Sequence, residues 1–228
     1  MSFANFKVDA GDPMRRSSVF AALVAAALLA GHPAMAADAA SRAAMAPDAL
    51  VESVSSEVLD DIRADPALHD GNVEKLRKLI DNKVAPYVDF ERMTRLAVGR
   101  GWRTATPEQR ESLMREFRTL LVRTYSGALS RVTDHKVKMR PPKPPPGDAE
   151  VTVRTEVAPT SGDAIQLDYR LEKTDAGWKI YDVNILGVSL VENFRQSFAT
   201  EISQGGIDGL IKALTDRNRQ LAAQSSKS

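Results

Sequence analysis

The stretch spanning residues 177–202 carries a strand pattern followed directly by a helix pattern. Its first half is apolar at nearly every position, which indicates a strand packed on both faces. In its second half the apolar residues recur at spacings of three and four, which places them on one side of a helix. Ser189 and Glu192 fit a capping box at the start of this helix. The stretch therefore predicts a strand, a turn and a helix in succession.

The rest of the chain predicts helices first and strands afterwards. Amphipathic helices are expected from Pro47, from about Asn72 and after Asp89, and the sequence from Thr106 begins the longest one. After Asp134 the apolar residues alternate with polar ones, which is typical of half-buried antiparallel strands. With further helices near the C-terminus, this order predicts an α+β fold in which helices gather on one face of a curved sheet of about four strands.

The first 36 residues have the pattern of a secretory signal peptide. Arg15 and Arg16 precede an apolar run over residues 19–30, and the Ala-Met-Ala sequence at residues 34–36 is of the kind that a signal peptidase cleaves. The apolar run is shorter than the roughly 20 residues that a membrane-spanning helix needs, and no later run approaches that length. We expect an exported, soluble mature protein.

The mature chain is expected to form one domain. Residues 37–46 are rich in alanine and are predicted to be a disordered spacer, residues 47–219 the domain, and residues 220–228 a flexible tail. Removal of residues 1–36 takes three basic and two acidic residues from totals of 31 and 30, which leaves 28 of each. This zero net charge gives no support to a nucleic-acid partner. The chain has no cysteine, which excludes disulfides and thiol chemistry.

The residues offer little for catalysis. His69 and His135 lie among polar neighbours and are expected on the surface, and no histidine or cysteine spacing suits a metal ion. Asp168 and Asp182, each beside a tyrosine, leave open the alternative of a small isomerase or hydratase in which a carboxylate abstracts a proton. Asp168 is expected to face solvent because it alternates with apolar residues, whereas the orientation of Asp182 stays open.

The helices together present more apolar surface than about four strands require. A filled core explains this surplus, and so does a sheet that stands apart from the helices and encloses a cavity for a hydrophobic ligand. Periodicity does not separate the two interpretations, because a residue that meets a packed neighbour and a residue that meets a cavity occupy the same side of a helix.

Two blocks of residues resemble the MlaC family, which is also known as the toluene-tolerance Ttg2D family. The first block begins with Tyr-Val-Asp-Phe-Glu-Arg-Met at residues 87–93 and continues through Leu-Ala-Val-Gly to Thr-Pro-Glu-Gln-Arg at residues 106–110. The second contains Trp-Lys-Ile-Tyr-Asp-Val at residues 178–183 and Gly-Val-Ser-Leu at residues 187–190. The resemblance extends over nearly all of the mature chain, and the joint spacing of the two blocks is more specific than either block alone.

The resemblance implies a periplasmic carrier that binds the acyl chains of phospholipid in an apolar pocket. Such a carrier passes lipid between an inner-membrane ABC transporter complex and an outer-membrane lipoprotein complex, and so maintains the lipid asymmetry of the outer membrane. It would not be an enzyme and would need no cofactor. The implied fold is a twisted antiparallel sheet covered by helices, similar to the NTF2-like group. A carrier of sterol-like lipids such as hopanoids is the alternative within this class.

Because the resemblance implies a lipid pocket, apolar residues on the facing elements become candidates for its lining. Simple packing in a core is the alternative for each of them. The candidates lie on the long helix, on the sheet and in the stretch 177–202, and they are Phe117, Leu121, Tyr125, Val153, Leu167, Tyr169, Ile180, Val188, Phe194 and Phe198.

Overall fold

The structure of the protein is a computed structural model. It describes residue 42 and residues 44–69, 72–129, 134–141, 147–159 and 163–225. The predicted signal peptide and most of the predicted spacer lie outside these residues. In the described ranges, no helix combines the length and the apolar character that crossing a membrane requires.

Helices make up the described chain up to the first strand. The regular α-helices are α1 (Pro47–Ala64), α2 (Pro66–His69), α3 (Val73–Leu79), α4 (Phe90–Val98) and α5 (Pro107–Leu129). The connecting turns are a π-helical turn (Ile80–Val84) and two 3-10 turns (Ala85–Tyr87 and Gly99–Arg103). This order confirms the helices expected from the sequence, with α5 the longest of these five.

Side-chain hydrogen bonds fix where two of these helices begin. The Asp89 carboxylate accepts a hydrogen bond of 2.8 Å from the backbone N–H of Arg92, which caps α4. Thr106 and Gln109 form the two reciprocal bonds of a capping box before α5, at 3.0 Å and 3.3 Å. Both caps confirm the helix starts that these residues predict.

Five antiparallel strands form one sheet in the order β1-β2-β3-β4-β5. The strands are β1 (Lys136–Arg140), β2 (Glu150–Ala158), β3 (Ile165–Thr174), β4 (Gly177–Ile185) and β5 (Val188–Ser189). The sequence indicates only about four because β5 has two residues, too few for an alternating pattern. A bulge between Arg170 and Leu171 shifts the register of β3 against β4, so that Leu171 pairs with Ile180.

One face of the sheet is apolar and is covered in part by α1. Val151, Val153 and Val157 are buried in β2 and alternate with half-buried residues, as predicted for an antiparallel strand with one covered face. Helix α1 packs on β1 and β2. The packed residues on this side form a cluster that we call the sheet core, which consists of Leu50, Val51, Val54, Val151, Val153, Leu171 and Ile180.

The C-terminal helix α6 (Leu190–Ser225) consists of two parts. Gly206 separates them with φ 65° and ψ −161°, a backbone conformation that residues other than glycine rarely adopt. A glycine pair directly before a helix pattern, as at residues 205–206, predicts a turn, and this break confirms it. The second part continues to Ser225, so residues 220–225, which the sequence assigns to a flexible tail, are helical.

Helices α4, α5 and α6 pack on one another and form a second cluster, which we call the helical core. Its buried members are Met93, Ala97, Val98, Trp102, Ala105, Leu113, Phe117, Leu120, Val191, Phe198, Ile207, Leu210 and Leu214. The two cores and the antiparallel sheet confirm the predicted α+β fold with helices over a sheet.

Candidate ligand-binding cavity

An apolar cavity of about 490 Å³ lies between the inner face of the sheet and the helices α1 and α5. This volume is within the range of roughly 300–1,000 Å³ that is typical of small-molecule sites. Its wall borders both cores, because Leu50 and Ile180 belong to the sheet core and Met93 belongs to the helical core. The apolar surplus of the sequence is therefore divided between packed cores and the wall of a cavity.

Helix α1 and the sheet provide opposite sides of this wall. Val51, Ser55 and Val58, spaced three and four residues apart, border the cavity from one side of α1. On the sheet, Leu167 and Ile185 border it from paired positions of β3 and β4. Both of these residues border the cavity without belonging to the sheet core or the helical core.

The wall carries few polar side chains. Of the 25 described residues that line it, 23 are aliphatic, aromatic or methionine, and the other two are Ser55 and Arg118. A polar ligand would lose its hydrogen bonds to water in this space and find few replacements, which is costly. The cavity therefore favours ligands made of hydrocarbon.

Three tyrosines, Tyr87, Tyr125 and Tyr169, bring phenol groups to the wall. Burial raises the pKa of Tyr169, while side-chain hydrogen bonds to Ser55 and Thr155 act in the opposite direction without cancelling it. Burial also raises the pKa of Tyr125. Because the ordinary pKa of tyrosine is already about 10, the phenols of Tyr169 and Tyr125 stay neutral at physiological pH and add no charge to the cavity.

Arg118 is the one charged residue among the described residues that line the cavity. It forms an ion pair with Asp81. Its guanidinium carbon also lies 5.0 Å from the centroid of the Phe90 ring, within the range of a cation–π contact. These contacts fix the guanidinium group of Arg118 at the border of the otherwise uncharged wall.

A sequence model of the MlaC protein family matches residues 52–216, which is most of the chain. The chain belongs to the MlaC family. It is 25% identical over 168 residues to the intermembrane phospholipid transport system binding protein MlaC of Haemophilus influenzae, covering 72% of this chain and 78% of the relative. It is also 25% identical over 167 residues to toluene tolerance protein Ttg2D of Pseudomonas putida, covering 73% and 77% of the two chains.

A solved structure also resembles this member of the MlaC family. It is a phospholipid-binding protein from Ralstonia solanacearum in complex with a phospholipid. The two chains are 43% identical and superpose with a TM-score of 0.74, over 77% of this chain and 98% of the Ralstonia solanacearum chain. Together with the relatives, this likeness confirms the family predicted from the two sequence blocks.

Five of the ten residues predicted to line the pocket of this MlaC-family chain border the cavity. Leu121 and Tyr125 do so from α5, and Leu167 and Tyr169 from β3. The fifth is Ile180 in β4. The structure thus brings these residues together around one space, and their contact with a ligand stays a prediction.

The other five predicted residues lie outside the described wall of the cavity. The Phe117 ring meets the Phe194 and Phe198 rings edge-on, at centroid distances of 5.0 Å and 5.1 Å, between α5 and α6. Val153 is fully buried in the sheet core, and Val188 is 56% exposed in the short strand β5. Helix α5 is apolar on two sides, one of which packs on α6 and holds the contact of the three phenylalanines, while the other borders the cavity. Contact of these five residues with a ligand stays a prediction.

None of the predicted lining residues belongs to α1, although this helix forms one side of the wall. The available signal is the amphipathic pattern of this helix, which marks an apolar side without indicating what that side contacts. The π-helical turn contributes Ile80 and Val84 to the wall. So short an irregular turn leaves no periodic signal in the sequence.

Asp182, considered above as a catalytic base, already has structural partners. Its side chain is 1% exposed and accepts hydrogen bonds from Ser189 Oγ at 2.7 Å and from the backbone N–H of Val191 at 3.2 Å. It is not one of the described residues that line the cavity. The carboxylate therefore joins β4 to the start of α6.

Asp168 lies between Leu167 and Tyr169 in β3, which both border the cavity. Successive side chains of a strand point to opposite faces, so Asp168 is on the other face of the sheet. It is half-buried rather than exposed as expected, and one oxygen of its carboxylate is buried without a hydrogen-bond partner. Across the described residues, no group of three histidine or acidic side chains is placed to hold a metal ion.

Proposed function

We propose that this protein is a periplasmic carrier that encloses the acyl chains of a phospholipid while the lipid passes between two membranes. The observation that carries this proposal is the cavity wall, in which one of the 25 described residues is charged. Such a wall replaces the hydrocarbon surroundings that acyl chains have in a bilayer. We propose binding and release of the lipid without a catalytic step, which the lipid-binding and transport roles in the names of the relatives support.

The need for enclosure follows from the hydrophobic effect. Two acyl chains contain roughly 30 methylene groups at about 0.8 kcal/mol each, so their exposure to water would cost on the order of 20 kcal/mol. A phospholipid therefore does not cross an aqueous compartment by free diffusion at a useful rate. A carrier has to replace nearly all of this burial with its own apolar wall, while the charged headgroup stays near the opening.

The relatives support phospholipid among the possible apolar ligands. The Ralstonia solanacearum protein, 43% identical to this chain, is a phospholipid-binding protein in complex with a phospholipid. The Haemophilus influenzae relative is the binding protein of a phospholipid transport system. These two relatives favour phospholipid over the sterol-like lipids left open by the sequence.

The proposed partners are an inner-membrane ABC transporter complex and an outer-membrane lipoprotein complex. The signal-peptide pattern of residues 1–36 supports export to the periplasm. The intermembrane transport system of the Haemophilus influenzae relative supports a role between two membranes. Maintenance of outer-membrane lipid asymmetry is the process that this carrier would serve.

Transfer of a fluorescent phospholipid between two vesicle populations tests the proposal. Donor vesicles contain the fluorescent lipid with a quencher, and fluorescence rises as the lipid reaches acceptor vesicles. We expect the purified protein to accelerate transfer in proportion to its concentration. The variant Leu167→Trp, which fills the cavity from β3, should slow transfer by about tenfold or more, because lost burial of two methylenes already corresponds to that factor.

A matched control separates blockage of the cavity from the mere presence of another tryptophan. Gln196 is exposed on α6, so Gln196→Trp adds the same side chain away from the cavity and should transfer lipid like the wild type. Wild-type protein that does not accelerate transfer would contradict the carrier function. An equal loss in both variants would contradict the assignment of transfer to this cavity.

A further inference from the structure

A second cavity, of about 430 Å³, lies beside the first, between α3 and α5. We call it the arginine cavity, after the charged residues in its described lining, which are Arg77, Arg115, Arg118, Arg123, Glu74 and Asp81. Four guanidinium groups and two carboxylates give this lining a formal surplus of two positive charges, and Glu116, which pairs with Arg115 from outside the lining, reduces the surplus to one. A concave surface that carries a net charge of one sign attracts ions of the opposite sign.

The arginine cavity and the apolar cavity share part of their walls. Phe90, Arg118 and Val122 line both of them. Along α5, Leu121 borders the apolar cavity, while Arg115, on an earlier turn, borders the arginine cavity. The two spaces therefore adjoin at these shared residues, and Arg118 lies at the junction.

Two of the four arginines of this cavity are held in place by the carboxylate of Asp81. Arg77 Nη1 donates to Asp81 at 2.9 Å, and Arg118 forms its ion pair with the same carboxylate. The planar fork of a guanidinium binds carboxylate and phosphate oxygens in the same two-point geometry. Asp81 thus keeps two arginines close together in an arrangement from which they can bind a second oxyanion.

We infer that the arginine cavity binds the phosphate group of the lipid whose acyl chains occupy the apolar cavity. This inference rests on the proposed function and names the headgroup chemistry that the carrier recognises. Arg118 meets the phosphate at the junction of the two cavities, and Arg77 and Arg115 complete the site. The carrier then distinguishes a phosphate-bearing lipid from a neutral lipid with the same acyl chains.

Competition between two lipids with identical acyl chains tests this inference. The protein is incubated with phosphatidylglycerol vesicles that contain diacylglycerol, re-isolated, and its bound lipids are counted by mass spectrometry. We expect the wild type to enrich phosphatidylglycerol relative to its share in the vesicles. Arg118→Gln should lower that enrichment by about tenfold, as for the loss of one charged hydrogen bond.

Two further variants keep the test independent of folding. Arg115 is 65% exposed, so Arg115→Gln should lower the enrichment by a smaller factor without unfolding the protein. Arg219 is 77% exposed and pairs with Asp216 on α6, so Arg219→Gln removes a paired surface arginine away from either cavity and should leave the enrichment unchanged.

The outcomes separate this inference from the carrier function on which it rests. Wild-type enrichment in both Arg118→Gln and Arg115→Gln would overturn the phosphate site and leave the carrier function standing. A wild type that loads neither lipid would contradict the carrier function itself.

Inorganic phosphate distinguishes a lipid headgroup from a free anion as the occupant. We expect calorimetry to detect phosphate binding by delipidated wild-type protein, weakened in Arg118→Gln, and much less binding by lipid-loaded protein, because the headgroup fills the site. Equal phosphate binding by the delipidated and the lipid-loaded protein would overturn the headgroup assignment.

Discussion

The buried carboxylate of Asp182 in β4 accepts a hydrogen bond of 2.7 Å from the Oγ of Ser189, the residue that caps α6. The Ser189 oxygen in turn accepts from the backbone N–H of Glu192 at 3.1 Å, which is the capping bond predicted for α6. A second Asp182 oxygen accepts from the N–H of Val191 at 3.2 Å. Strand β4 and helix α6 are therefore joined by one fully partnered acidic group.

Removal of this carboxylate should destabilise the fold rather than change ligand binding. We expect Asp182→Ala to lower the free energy of unfolding by about 2–3 kcal/mol, because it leaves the first turn of α6 with unpaired donors. Urea denaturation measures the change, and Asp182→Asn, which keeps an acceptor, should lose less. Unchanged stability in Asp182→Ala together with lost activity toward a substrate would instead support the isomerase alternative.

The three phenylalanines between α5 and α6 should also act on stability. Phe198 is buried against Phe117, and Phe198→Ala should cost about 3–5 kcal/mol in the free energy of unfolding because it leaves a cavity in the helical core. Thermal or urea denaturation checks this value. A variant that stays as stable as the wild type but no longer binds lipid would show that the ring lines the ligand site after all.

A strained turn offers a stabilising substitution. Leu186 has φ 51° and Gly187 has φ 89° in the two-residue connection between β4 and β5, a combination that favours Asn-Gly. Leu186 is also 65% exposed, so its replacement loses little burial. We expect Leu186→Asn to raise the free energy of unfolding by about 1 kcal/mol.

The neighbouring Val188 provides the control for that substitution. It is 56% exposed but lies in β5 and has no positive φ, so Val188→Asn removes a similar apolar surface without relieving strain. We expect no gain in stability from Val188→Asn. Equal gains in the two variants would mean that reduced apolar exposure, and not the backbone conformation, is responsible.

Protonation of Glu150 should lower the free energy of unfolding in acid. Hydrogen bonds from Arg92 at 2.6 Å and Tyr181 at 2.9 Å lower the pKa of Glu150 below its ordinary value of 4.5. A group with a lowered pKa contributes stability that is present above its unfolded pKa and is lost as the pH falls through its folded pKa. The free energy of unfolding should therefore fall as the pH is lowered below about 4.5, and less steeply in Glu150→Gln.

Urea denaturation at a series of pH values measures this slope. Glu111→Gln, at an exposed position of α5, should keep the wild-type slope and serves as the control. An identical pH dependence in Glu150→Gln and the wild type would show that its contacts with Arg92 and Tyr181 do not persist in solution.

The helix starts could be predicted from the sequence because capping chemistry is local. The partners of the bonds at Asp89 and Thr106 lie three residues away, so residue type and spacing identify them directly. The break at Gly206 could also be predicted, because two adjacent glycines indicate a turn by residue type alone. The short strand β5 could not be predicted, because two residues are too few to show an alternating apolar pattern.

The division between core and cavity could not be predicted, since it depends on what lies opposite each apolar side. Phe117 and Leu121 are both apolar positions of α5, yet one meets other rings and the other borders open space. The ion pair between Arg118 and Asp81 could not be predicted either. The two residues lie far apart in the sequence, and no sequence pattern joins an arginine to one particular distant carboxylate.

Mass spectrometry of lipid extracted from the purified protein tests most directly whether the apolar cavity holds phospholipid. We predict close to equimolar phospholipid with the wild type and much less with Leu167→Trp, at a similar melting temperature because the added ring enters open space. Wild-type protein without phospholipid, or Leu167→Trp with as much phospholipid as the wild type, would contradict this account.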